Sequence, residues 1–312
     1  MSRILCLALS ILLSLPVTGC EGQAAQIPSD DPPPVEQSAG AIPSGGEAEI
    51  PDSPQKTAPE EPAPPLEESA PEPVPEEPYV RVIDPSKPMV ALTFDDGPDP
   101  TYTPQILDLL EENHAVATFF EVGWNIYACP EALVRASEIG CELASHSCAH
   151  KDLSKLGKNA LLQDLATADS IFEAAGIPAP LLVRPPYGAV NKTVKYGTEK
   201  AMVTWTVDTY DWQSKDAASV IASIQNTPGL DGQIVLMHSL YGSTVEALET
   251  ILPWLTEQGY QTVTVTELMA YYYGELPQPG QFYGYTYFST HGRTDTPLSL
   301  EPPAEAEEAP AE

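Results

Sequence analysis

Two adjacent carboxylates, Asp95 and Asp96, stand in the run Thr93-Phe94-Asp95-Asp96-Gly97-Pro98. Two of the five histidines lie four residues apart in His146-Ser147-Cys148-Ala149-His150. Adjacent carboxylates can divide labour, one holding a cation while the other, facing the same water, takes its proton. Alone, Asp-Asp-Gly-Pro is also ordinary turn chemistry. If residues 146–150 are helical, positions i and i+4 share a face and both imidazoles can meet one metal. Asp96, His146 and His150 would then supply three protein ligands and leave a position open, the pattern of a catalytic rather than a structural site. Cys148 lies between the two histidines but would point elsewhere, so it reads as packing. Three later runs complete the set: Arg184-Pro185-Pro186-Tyr187-Gly188, Asp208-Thr209-Tyr210-Asp211-Trp212 and Leu236-Met237-His238. Singly they are a rigid turn, a loop and a stray histidine. Together they offer a cation, a carboxylate, an aromatic wall and a proton donor.

Something must bring these runs to one place. Apolar stretches bounded by turn residues predict strands at 89–94, 118–122, 142–144, 181–184, 202–207, 233–237 and 262–265. Amphipathic stretches predict helices at 104–112, 130–139, 159–175, 216–225, 245–258 and 266–272. Pro104 and Pro130 suit first helical turns, and Gly140, Gly176 and Gly259 suit the residues just past helix ends. Strand–helix alternation implies an α/β fold on a parallel sheet, either a barrel or a doubly wound sheet, and periodicity does not choose between them. Each chemical run falls at or just past the end of a predicted strand, where parallel α/β folds build their sites.

The five runs, taken in order over about residues 89–268, resemble the motifs of the polysaccharide deacetylases, the NodB-homology or carbohydrate esterase family 4 group; Ala117-Thr118-Phe119-Phe120 and Gly259-Tyr260 are similar as well. The resemblance implies a deformed (β/α) barrel of about seven parallel strands. It implies Asp95 as catalytic base, and Asp96, His146 and His150 as ligands of a divalent metal, expected to be Zn²⁺. Arg184 would orient Asp95, Asp211 would orient His238, and His238 would be the general acid. The Tyr187 amide would help hold the oxyanion, with Trp212 and Leu236 walling the acetyl pocket. The implied reaction is removal of N-acetyl groups from cell-wall polysaccharide. The segment 239–247, with Tyr241 and Ser243-Thr244-Val245, is similar to peptidoglycan deacetylases and points to GlcNAc units. One departure is Ser239, where many members carry Asp. An O-acetyl esterase acting on xylan, a chitin deacetylase and a non-catalytic carbohydrate-binding module are the alternative readings.

The ends of the chain read differently. Residues 1–19 resemble a lipoprotein signal peptide: Arg3, an apolar run over 4–15, and Val17-Thr18-Gly19-Cys20 in the manner of a lipobox. Cys20 would carry the lipid, tethering an extracytoplasmic enzyme to the membrane. Residues 20–79, dense in Pro and Glu and without aromatics up to Pro78, are expected to be a disordered linker spanning on the order of 40 Å. A catalytic domain is expected at 80–275 and a C-terminal extension, ending in an acidic tail, at 276–312. Every Trp lies between Trp124 and Trp254. Cys129, Cys141 and Cys148 allow at most one disulfide. The formal charge of −31 argues against nucleic acid and for a neutral or weakly charged substrate. A monomer is expected.

Overall fold

A computed structural model of the chain describes residues 81–300. The expectations for the signal peptide, Cys20, almost the whole linker and the end of the acidic tail lie outside the described residues.

In chain order the elements are β1 (Met89–Asp95), α1 (Tyr102–Glu112), β2 (Thr118–Glu121), α2 (Gly123–Ile126), α3 (Pro130–Glu138), β3 (Glu142–Ser145), α4 (Lys158–Ala174), β4 (Leu182–Val183), α5 (Lys192–Tyr196), β5 (Ala201–Val203) and β6 (Val207–Asp208). There follow α6 (Asp211–Ser214), α7 (Ala217–Gln225), β7 (Ile234–His238), α8 (Gly242–Glu257), β8 (Gln261–Thr262), α9 (Val265–Leu268), β9 (Phe282–Tyr283) and α10 (Tyr285–Thr290). Among the described residues every strand pairing is parallel, in the order β6-β7-β1-β2-β3-β4-β5-β9, with β8 on the N-terminal end of β1.

Strand β1 shows why the sheet forms here. Its residues, MVALTFD, are buried throughout, as expected of a near-continuous apolar run covered on both faces. Helices α1, α7 and α8 cover one side through Ile106, Leu107, Leu110, Val220, Ile224, Leu248, Ile251 and Leu252. Inside, Met89, Ala91, Phe120, Ala144, Ala201, Val203 and Ile234 meet Val265 and Leu268. Pro130 opens α3, and Gly140, Gly176 and Gly259 follow α3, α4 and α8 at positive φ, where a side chain would be strained.

The choice between barrel and open sheet is made by a single stretch. The run 202–207, predicted as one strand, is split: β5 pairs with β4 at one side of the order, and β6 pairs with β7 at the other. Only Thr204, Trp205 and Thr206 separate them. The two sides of the sheet are therefore a few residues apart along one chain, and the sheet has to curl round. Thr204 N–H donates to Tyr283 O on one side of this seam, and Thr206 N–H to Ile234 O on the other. The result is a deformed (β/α) barrel whose wall runs through β1–β7.

Some elements differ from the sequence expectation. Residues 146–150 form a turn, not a helix, because Ser147 and His150 take left-handed φ of 70° and 51°. The strand expected at 262–265 shortens to β8, and the following helix becomes α9 with a π-helical stretch, Met269–Tyr273. Residues 276–300 supply β9, paired with β5, and α10, whose Phe288 is buried against the core. Cys129, Cys141 and Cys148 are free and buried.

Candidate active site

Strand register assembles the site. Asp95, last in β1, is the register partner of His238, last in β7. Ser145 on β3 partners Val183 on β4, so the next residues, His146 and Arg184, are neighbours as well. The His146 Nδ1 lies 2.7 Å from the Arg184 carbonyl oxygen. An acceptor there requires the ring proton on Nδ1, leaving the Nε2 lone pair for a metal.

Both Nε2 atoms face Asp96. They lie 3.4 Å (His146) and 3.0 Å (His150) from Asp96 Oδ1, which is buried and meets no donor in hydrogen-bond geometry. All three ligand atoms fall within 4.8 Å of one another. Two imidazole nitrogens gathered round a buried carboxylate oxygen that has no hydrogen-bond donor fit a divalent cation, and these residues form a candidate metal site. Burial disfavours charge on Asp96, but the close approach of His150 and the charges of His146, His150 and His238 outweigh it and hold the carboxyl below its ordinary range. Burial pushes His146 down, partly opposed by Asp95 and Asp96. A neutral imidazole is the form that ligates.

Asp95 is held from behind. Arg184, fully buried, places Nη1 2.7 Å from Asp95 Oδ1 and 2.7 Å from Thr93 Oγ1. Its guanidinium carbon lies 3.9 Å from the centre of the Phe120 ring. His238 is held the same way. Its Nδ1 is 2.8 Å from Asp211 Oδ1, and its backbone N–H donates to Asp211 Oδ2 at 2.7 Å. Asp211 also accepts from Thr244 Oγ1 and the Trp212 N–H, both at 2.8 Å. Burial opposes the His238 charge, but the Asp211 hydrogen bond and charge outweigh it and raise the pKa above that of a free imidazole.

Above these groups is a cavity of about 510 Å³, lined by Asp95, Asp96, His146, His150 and His238 and walled by Tyr187, Trp205, Trp212, Leu236 and Tyr241. Arg184 and Asp211 stand behind it as supports. Every residue given a site role from sequence within the described range thus lies in or directly behind one cavity. Strain concentrates there too: Asp96, Ser147, His150, Tyr187 and Tyr210 all have positive φ, a conformation that costs a residue with a side chain and persists where surroundings enforce it.

Sequence reasoning gave no role to Thr93, Thr244, Trp205 or Glu121. Glu121 is fully buried, and its Oε2 has no partner. Burial, with the charges of Asp95 and Asp96, pushes its pKa well above the ordinary carboxylate value. A charged residue ending the apolar run Thr118-Phe119-Phe120-Glu121 was the available signal.

Comparison with known proteins bears on this geometry. A model of the polysaccharide deacetylase family matches residues 83–205. A peptidoglycan-N-acetylglucosamine deacetylase of Bacillus cereus is 38% identical over 191 residues, 59% of this chain and 89% of that protein. This chain belongs to the polysaccharide deacetylase family. Another family member, peptidoglycan-N-acetylmuramic acid deacetylase PdaC of Bacillus subtilis, is 37% identical over 61% of this chain, which spans only 41% of that longer relative. Among solved polysaccharide deacetylase relatives, a family 4 acetyl xylan esterase from Clostridium thermocellum, in complex with a cobalt ion, superposes with a TM-score of 0.58 at 30% identity. That match covers 62% of this chain and 97% of the esterase.

Proposed function

We propose that this chain removes N-acetyl groups from cell-wall polysaccharide, with GlcNAc units of peptidoglycan as substrate, and releases acetate. The observation that carries the reading is the pairing of Asp95 and His238 on adjacent strands over the candidate metal site, each with its own buried partner of opposite charge. A divalent cation on Asp96, His146 and His150, Zn²⁺ by the character of the donors, would supply Lewis acidity to the carbonyl and to water. Asp95, fixed by Arg184, accepts the proton of the attacking water. The Tyr187 N–H faces the carbonyl oxygen as negative charge develops there, while Trp212 and Leu236 enclose the methyl group. An amine is a poor leaving group until protonated. His238, whose charged form Asp211 favours, gives it that proton from Nε2, the ring nitrogen left for the cavity.

The names of the relatives support a polysaccharide substrate and divide over which one: peptidoglycan for two, acetyl xylan for the third. Acetate release from peptidoglycan, chitin oligomers and acetylxylan, with Zn²⁺ returned to chelator-stripped protein, tests the reading. Peptidoglycan should give the most acetate, and only with metal. Release from acetylxylan alone would reassign the chain as an O-acetyl esterase. A lipid on Cys20 and a long spacer would place the site at reach from the membrane surface, where such a polymer lies.

A further inference from the structure

A second groove opens beside the catalytic cavity, and nothing in the proposed chemistry uses it. Its volume is about 260 Å³, and Trp124, Ala149, Lys151, Gln163, Asp164 and Thr167 line it. Trp124 lies on α2, just past β2. Ala149 and Lys151 follow β3, and the other three lie on α4. Trp124, Ala149 and Lys151 follow the C-terminal ends of β2 and β3, so this wall of the groove borders the rim on which the cavity opens.

The wall between the two is one turn of chain. His146 and His150 face the cavity across it, and Ala149 faces the groove. Trp124 is fastened to that turn: its N–H donates to the Cys148 carbonyl at 3.0 Å, and the Gly123 N–H donates to the Ser147 carbonyl at 3.0 Å. A Cβ at Gly123 would lie 3.3 Å from the Cys148 Cα and 3.4 Å from the Ala168 Cα, so glycine lets α2 seat tightly here. The indole itself stays 59% exposed. A large flat side chain on rigidly held backbone, left in solvent, offers binding area that costs little entropy to use. Around it are an amide, a carboxylate, a hydroxyl and an ammonium group. Flat aromatic area bordered by short polar groups suits a pyranose ring, whose C–H face is apolar and whose rim is hydroxylated.

We propose that Trp124 is the platform of a distal sugar subsite, holding a hexosamine unit of the same polymer whose acetylated unit occupies the cavity. This rests on the deacetylase reading for the identity of the polymer. Calorimetric titration of N-acetylglucosamine oligomers into the Asp95→Asn protein reads binding without turnover. The hexamer should bind more tightly than the disaccharide. Adding Trp124→Ala should weaken the hexamer about tenfold, leave the disaccharide unchanged and erase the length dependence, while Trp124→Phe should restore most of it. Equal affinity for both lengths in the Asp95→Asn parent, or an equal loss on both in Trp124→Ala, overturns the subsite. Acetate release by the wild-type protein is scored separately. Its absence with length-dependent binding intact would refute the deacetylase reading and leave the subsite standing.

Discussion

Asp95→Asn preserves shape and can still accept from Arg184, but it cannot take a proton. Activity should fall by about 10²-fold or more while metal content, read by atomic absorption, is unchanged. His238→Ala should cripple amide hydrolysis more than hydrolysis of an activated aryl acetate, whose leaving group needs no proton; equal losses would move His238 out of the acid role. His238 has a raised pKa, so the limb of the kcat/KM profile that falls on its deprotonation should lie above the ordinary imidazole value of 6.5. Asp211→Asn should pull that limb down. The stability sign follows: a raised folded-state pKa contributes fully below the unfolded value and is lost as pH rises through the folded one. The Tm gap between wild type and Asp211→Asn should therefore narrow at alkaline pH. Gly97 is constrained, since a Cβ there would stand 2.6 Å from both Glu121 Oε2 and Ser239 Oγ, so Gly97→Ala should be poorly tolerated. At this scale the sequence was legible where several charged groups recur at strand ends. Thr93 and Thr244 were not, because a threonine in a strand or early in a helix looks the same whether or not a buried charge leans on it.

The elements were legible in proportion to how much of their structure is local. β1 and β7 are apolar runs long enough to announce themselves, and α4 and α8 have clear apolar faces. The 146–150 turn was open to misreading because HxxxH suits a helix, and only the left-handed φ of Ser147 and His150 diverts it. The break between β5 and β6 is invisible in the residues themselves, since it is decided by partners far off in sequence, Tyr283 and Ile234. β9 is too short to signal at all. Its contribution can be measured. Phe288, 6% exposed, packs α10 against the core, and Phe288→Ala should cost about 3 kcal/mol, lowering Tm by roughly 6–12 °C. Phe288 is not among the residues that line the catalytic cavity, which predicts normal kcat at 25 °C; a loss of metal binding there would mean the C-terminal segment shapes the site.

For the whole molecule, the charge of −31 and sequence pI of about 4.2 suit a protein repelled by acidic polymers, so raising salt should improve its action on an anionic wall preparation and leave neutral chitin oligomers unaffected. If Cys20 is lipidated, Cys20→Ser should move the protein from the membrane to the soluble fraction, and mass spectrometry of the mature N-terminus should find a diacylglyceryl cysteine in the wild type. The seam at Thr204–Thr206 also governs how the chain can be made. The first strand synthesised, β1, needs β7 as its neighbour, and β7 must slot between β1 and β6. A nascent chain that has emerged only through α7 therefore holds both flanks of the gap with nothing to fill it, and two unsatisfied strand edges invite association with other chains. Polypeptides released at residue 226 should stay protease-sensitive and aggregate, whereas those released at residue 300, with β9 and α10 included, should gain resistance in one step. The late strand acts as a latch, so an interrupted synthesis yields no half-working enzyme.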